Sequence, residues 1–155
     1  MKNEFIFIIF NYYFFNFIEY SVHQLAHSKK YGGFLYKEHY IHHKHFPPKQ
    51  LMVKDSSQME STDKSFSFII LCIYGLSYKV LETYYLYLFT INSIIYVTVI
   101  VQLHKHYHLI NSPLDRYEWF KKRKELHHIH HRKKYNNYNL VFFTSDKIKK
   151  TYSIR

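Results

Sequence analysis

Ten of the thirteen histidines in this 155-residue chain fall into four clusters: His23 with His27, His39 with His42 and His43, His104 with His108, and His127 with His130 and His131. Written as patterns these are HxxxH, HxxHH, HxxxH and HxxHH, so one two-part pattern is stated twice, about eighty to ninety residues apart. The spacing constrains the fold. On an α-helix, residues i and i+4 lie one turn apart on the same face and i+3 flanks them, so each cluster points two or three imidazoles at one spot. One such cluster is what a histidine-rich chain produces by accident, but four in ordered repetition are not. A chain built this way is expected to be helical, with the four clusters folded onto one site.

Neutral imidazole is a ligand for zinc, iron, copper and nickel, and the commonest metal-binding side chain. Ten are too many for one ion. A tetrahedral structural zinc is complete with four ligands, whereas two five- or six-coordinate ions use about ten and leave a position for oxygen or water. Soluble di-iron bundles rely on Glu and Glu-x-x-His ligands, and Glu38 and Glu125, although near the clusters, are not at bridging spacings. An all-histidine pair of redox metals beside a membrane suits oxygen activation against a long unactivated hydrocarbon.

The rest of the chain supplies the membrane. Residues 5–18, FIFIIFNYYFFNFI, are an apolar run leading into the first cluster. With Glu4 before it and no small-residue cleavage site after it, the run reads as a helix over residues 4 to about 28 and not as a signal peptide. Fourteen apolar residues fall short of the roughly 20 of a full span, so partial or tilted insertion is expected. Gly32-Gly33 then breaks the chain, residues 35–45 form a short helix stopped by Pro47-Pro48, and 49–65, with Lys54, Asp55, Ser56, Ser57, Ser61, Thr62 and Asp63, is a polar loop. Residues 66–103 are apolar apart from Lys79 and Glu82 near their middle, which predicts a hairpin that dips into the bilayer and delivers His104 and His108 to the side of the first two clusters. A soluble helical hairpin is the other reading of this stretch, given a mean hydropathy of only −0.34. A basic helix over roughly 116–131 follows, then an irregular polar segment with Tyr135, Asn136, Asn137, Tyr138 and Asn139.

The formal net charge is +11, and its distribution decides what it means. Residues 104–155 carry thirteen Lys and Arg against four Asp and Glu, and residues 28–65 carry seven against four, leaving only Lys2 and Lys79 elsewhere. Basic charge beside the histidine clusters and between apolar stretches is the pattern of a cytoplasmic membrane face. No zinc-finger, RNP or helix-turn-helix spacing supports nucleic-acid binding, and no nucleic acid is expected as a partner. Cys72 is the only cysteine, so there is no disulfide framework and no cysteine-based zinc site.

The order HxxxH, HxxHH, hydrophobic hairpin, HxxxH, HxxHH resembles the membrane-bound fatty acid hydroxylase and sterol desaturase superfamily. EYSVHQLAH at 19–27 resembles the acidic-aromatic lead-in to the family's first box, and HHIHHRKKYNNYNLVFFTSDKIKKTY at 127–152 resembles its last box, an Asn-Tyr element and an Asp-containing tail. The resemblance implies one all-α domain over 1–155, a membrane-associated helical bundle with a metal site at its cytoplasmic end. Membrane-inserted runs would be 5–18 and 66–103, and the histidine-box cap would be 19–48 with 104–155. It implies a non-haem di-iron oxidoreductase of the endoplasmic-reticulum type that hydroxylates or desaturates a fatty acyl chain, sphingolipid or sterol, with molecular oxygen as co-substrate and a cytochrome b5-type or other electron donor. Two iron ions would be bound, with zinc able to replace them in isolated protein. The ligands carried over are His23, His27, His39, His42, His43, His104, His108, His127, His130 and His131. Glu19, four residues before His23, would accept that imidazole's second N–H. His45, His106 and His128 lie off the motif, and exposure is expected for His106 and His128. Two departures stand out: Gln24 replaces the basic residue after the first histidine, and Lys150 replaces the glycine of the family's terminal Gly-Thr-Tyr. The chain is also shorter than most members, as if without an N-terminal pair of membrane helices. A catalytically inactive membrane metal-binding or scaffold protein of the same fold is the alternative function.

Overall fold

The computed structural model describes residues 2–55, 57 and 64–155, with the side chains of 2, 64–68 and 70 excluded. Ser56, Ser61, Thr62 and Asp63 of the expected polar loop lie outside the described residues. Among the described residues, six α-helices follow in order: α1 (Lys2–Ala26), α2 (Gly33–His45), α3 (Lys64–Val80), α4 (Thr83–Tyr107), α5 (Glu118–Arg132) and α6 (Thr144–Ile148), with a 3₁₀ turn at Pro113–Arg116 before α5. The β pairing among the described residues is a single parallel bridge between Val53 and Leu109. The architecture is all-α, as the histidine spacing required.

Two turns set the geometry on which the site depends. Between α1 and α2, a Cβ on Gly32 would stand 2.5 Å from the Leu25 carbonyl oxygen and 2.7 Å from that of Ser28, while Gly33 adopts φ +53°. A side chain at the first position would collide with backbone and one at the second would be strained, so the double glycine permits the sharp corner that lays α2 back on α1. Phe46, before Pro47, leaves the helical region at φ −113° and ψ 70°, and α2 ends there. Between α3 and α4 the chain turns at Leu81 and Glu82, where the sequence places its polar interruption.

The buried positions of α4, Phe89, Ser93, Tyr96, Ile100, Leu103 and Tyr107, recur every three or four residues and form one stripe. All but Ser93 pack with Phe15, Phe120, Leu140 and Val141 as the apolar core. The opposite faces stay apolar but uncovered: Phe5, Ile6, Phe10, Tyr13 and Phe17 of α1 and Ile91, Ile94 and Ile95 of α4 are exposed. Asn3–Ala26 and Thr83–Tyr107, of 24 and 25 residues, are each long and apolar enough to cross a membrane. The 14-residue apolar run of the sequence is therefore the inner part of a longer helix. Extended apolar faces of this kind suit a lipid environment.

Candidate metal centre

All four histidine clusters meet where α1, α2, α4 and α5 converge, and the ten imidazoles sort into two adjacent sets. His23, His27, His39, His43 and His130 bring one ligand atom each within 4.8 Å of one another, and His42, His104, His108 and His127 form a second such group. His131 joins the second group, its Nε2 standing 3.1 Å from those of both His42 and His127.

Helix geometry explains the sorting and corrects one expectation. At about 100° per residue, i and i+4 are some 40° apart around a helix while i+3 lies about 60° to the other side. In each HxxHH cluster the outer pair therefore serves one set and the inner histidine crosses to the other. His39 and His43 face the first set and His42 the second; His127 and His131 face the second and His130 the first. Each HxxHH box thus addresses two spots, not one, while each HxxxH pair stays within a single set.

The spacing between ring nitrogens fits metal ligation. Nε2–Nε2 separations are 3.1 Å for His23–His39, 2.9 Å for His27–His39 and His39–His43, 3.0 Å for His27–His130, 3.1 Å for His42–His104 and 2.9 Å for His108–His127. Two nitrogens bound at about 2.05 Å and at right angles stand about 2.9 Å apart, against about 3.3 Å for a tetrahedral pair. The shorter separations match neighbouring ligands of five- or six-coordinate ions.

The opposite nitrogens show how the rings are aimed. His130 Nδ1 lies 2.7 Å from the Asn136 carbonyl oxygen, His108 Nδ1 2.7 Å from that of Leu51 and His131 Nδ1 2.9 Å from that of Phe46, while His23 Nδ1 contacts that of Tyr138. A carbonyl accepts and never donates, so these four imidazoles carry their proton on Nδ1 and turn an Nε2 lone pair inward. Burial keeps the rings neutral. It holds His39, His42, His108, His127, His130 and His131 well below the usual imidazole range, with neighbouring imidazoles adding to the effect. Burial, followed by Lys134, lowers His27 to about 4, and burial lowers His43 to about 3. Deprotonated, inward-facing and crowded nitrogen donors are what a bound cation requires. The donor set therefore fits two metal ions with nitrogen-rich coordination.

Glu19 does not support His23 as expected. Its carboxylate is buried and accepts from Tyr96 Oη at 2.8 Å, from Asn139 Nδ2 at 3.0 Å and from the Leu140 backbone N–H. His23 instead directs Nδ1 to Tyr138 and Nε2 to His39, so Glu19 acts through the C-terminal segment and not on the ring. The exposure expected of His128 is likewise corrected: it is buried, with Nε2 2.9 Å from the Tyr107 carbonyl oxygen. His106 is half-buried against Ser112 at 2.9 Å.

The segment after α5, irregular by sequence, forms the back wall of the site. The Asp146 carboxylate accepts the backbone N–H groups of Tyr138 and Asn139, each at 2.8 Å, and the Thr151 hydroxyl at 2.7 Å. Asn137, at φ +53°, donates to the Leu126 and Ser153 carbonyls. These bonds fix the loop whose Asn136 and Tyr138 carbonyls orient His130 and His23. These acceptors leave no mark in the sequence, because every residue carries a backbone carbonyl; the short polar side chains of Asn137, Asn139 and Asp146 are the available signal.

A model of the fatty acid hydroxylase family matches residues 8–151. The chain belongs to this fatty acid hydroxylase family. No curated protein and no solved structure matches the chain. The family indicates an enzyme acting on lipid, and with the two apolar helices it indicates membrane association.

Proposed function

We propose that the protein is a membrane-bound non-haem di-iron oxidoreductase that hydroxylates or desaturates a lipid, with His23, His27, His39, His43 and His130 holding one ion and His42, His104, His108, His127 and His131 the other. The observation that carries this reading is the division of ten imidazoles into two contiguous nitrogen sets at ligand spacing. Iron bound there would supply the activation of molecular oxygen that an unactivated C–H bond demands. The chain's own part is to hold and orient. The Asn136, Tyr138, Phe46 and Leu51 carbonyls fix ring tautomers, and the apolar faces of α1 and α4 present the substrate's hydrocarbon from the bilayer. Electrons would come from a cytochrome b5-type or comparable donor on the cytoplasmic side, where the excess of Lys and Arg in 28–65 and 104–155 offers a basic approach. By that charge asymmetry, the metal end faces the cytoplasm of an endoplasmic-reticulum-type membrane.

The test combines metal content with lipid composition. Detergent-purified protein is expected to carry about two ions per chain by elemental analysis, iron in the working enzyme and zinc where overexpression supplies it. Cells expressing the protein should accumulate an oxidised or desaturated lipid that is absent with His42→Ala or His130→Ala. Two bound ions with no lipid change in any condition would leave the inactive metal-binding protein instead.

A further inference from the structure

Two hollows outside the histidine sets adjoin each other. The first is a cleft of about 320 Å³ between α1 and α4, lined by Ile8, Asn11, Phe15, Asn92, Ile95 and Tyr96 among others, and bounded by Val141 and Phe142. It is apolar except for its amides. Asn11 is 1% exposed, and both its carboxamide atoms are buried without a hydrogen-bond partner. An orphaned amide in an apolar wall signals a missing polar partner.

The second hollow, of about 290 Å³, contains Lys122, Arg123 and Lys147 and no carboxylate among its lining residues. Tyr12 and Phe142 line both hollows, their rings 4.8 Å apart, and so form the partition between them. Lys122 and Lys147 are exposed, while Arg123 is half-buried and tethered to the Val141 and Trp119 carbonyls. Trp119 and Tyr117 stand exposed on the same stretch of chain, as interfacial aromatics do.

An apolar cleft with an unpaired amide in its wall and a cationic pocket one side chain beyond match the parts of a phospholipid: acyl chain, ester carbonyl, phosphate. We propose that a membrane phospholipid with an anionic headgroup binds here, its chain in the α1–α4 cleft, an ester carbonyl accepting from Asn11 Nδ2, and its headgroup among Lys122, Arg123 and Lys147. The charge complementarity selects the occupant, since a neutral hydrocarbon would leave the three cations of the pocket without a counter-charge among its lining residues. No histidine lines either hollow, so the site stands apart from the metal centre and does not depend on the oxidoreductase reading.

Native mass spectrometry of the full chain in detergent, titrated with phosphatidylserine or phosphatidylcholine of identical acyl chains, tests this. The wild type is expected to prefer phosphatidylserine about tenfold or more. Lys122→Gln with Lys147→Gln should abolish that preference, whereas Lys29→Gln with Lys30→Gln, which removes equal charge from the exposed α1–α2 corner, should retain it. Asn11→Leu should weaken both lipids alike. The proposal is overturned if the wild type shows no preference, if both double variants lose it equally as diffuse attraction would require, or if the Lys122/Lys147 variant keeps it. A lipid-free dimer abolished by Asn11→Leu would place a second chain in the cleft and overturn it too.

Discussion

At the scale of single residues, position within the helix turn and the partner of the second ring nitrogen decide what each histidine does. His130→Ala removes a nitrogen shared by His27 and His43 in the first set and is expected to lower bound metal from about two to about one or less per chain by elemental analysis. His45→Ala and His106→Ala, outside both sets, should leave the content unchanged. His128→Ala belongs to a third category: loss of its bond to Tyr107 should lower stability by about 1–3 kcal/mol in thermal unfolding while metal content holds. Protons act on the same rings. In chelated protein His27 and His43 titrate at about 4 and about 3, below the ordinary 6.5, so the unfolded chain takes up protons first as pH falls. Their contribution is complete above pH 6.5 and is lost progressively on the way down to 4 and 3. The melting temperature of the metal-free protein should therefore fall between pH 7.5 and 4.5. Lys150, where the family resemblance calls for glycine, adopts φ +59°, in the left-handed region that costs an L-residue about 1–2 kcal/mol. Lys150→Gly should raise stability by about 1 kcal/mol, read from denaturant unfolding.

Among the elements, the segment between α5 and α6 has the most influence for its length. It crosses to α1, where Asn16 accepts from the Ser145 N–H at 2.9 Å and Asn139 Nδ2 donates to the Asn16 carbonyl at 2.9 Å. Glu19 closes the same contact through Asn139 and Leu140. Two polar residues of an otherwise apolar helix, Asn16 and Glu19, are thereby satisfied by a loop, and that loop in turn aims His23 and His130. Asp146→Ala strips three bonds from one buried carboxylate and is expected to cost about 3 kcal/mol. Because Tyr138 and Asn136 serve only His23 and His130, metal should be lost first from the first set. Spectroscopy of a cobalt-substituted sample would show one of two centres perturbed; equal loss from both would mean the loop has no selective role.

For the whole molecule, α1 and α4 both end in histidines of the shared centre, so under the proposed membrane placement they run the same way through the bilayer. With Cys72 replaced, cysteines introduced at exposed Ser57 and Lys149 should label from one side of the membrane and a cysteine at Lys79 from the other. Labelling of the first two from opposite sides would sink the proposed topology. The histidine spacing by itself determined that the chain is helical and which imidazoles gather at one place, because i, i+3 and i+4 relations are properties of one helix. The breaks at Gly32-Gly33 and Pro47 were legible because each is a local restriction on backbone angles, and the turn at Leu81–Glu82 was legible from the polar interruption at Lys79 and Glu82. Only the tertiary structure decided that His42 and His130 cross to the opposite set, that Glu19 serves Leu140 and not His23, that His128 is buried, and that Asn136 and Tyr138 aim the rings through their carbonyls. Those outcomes depend on where separate helices and a returning loop meet, and a backbone carbonyl, identical at every residue, becomes specific only when the fold places it against a ring.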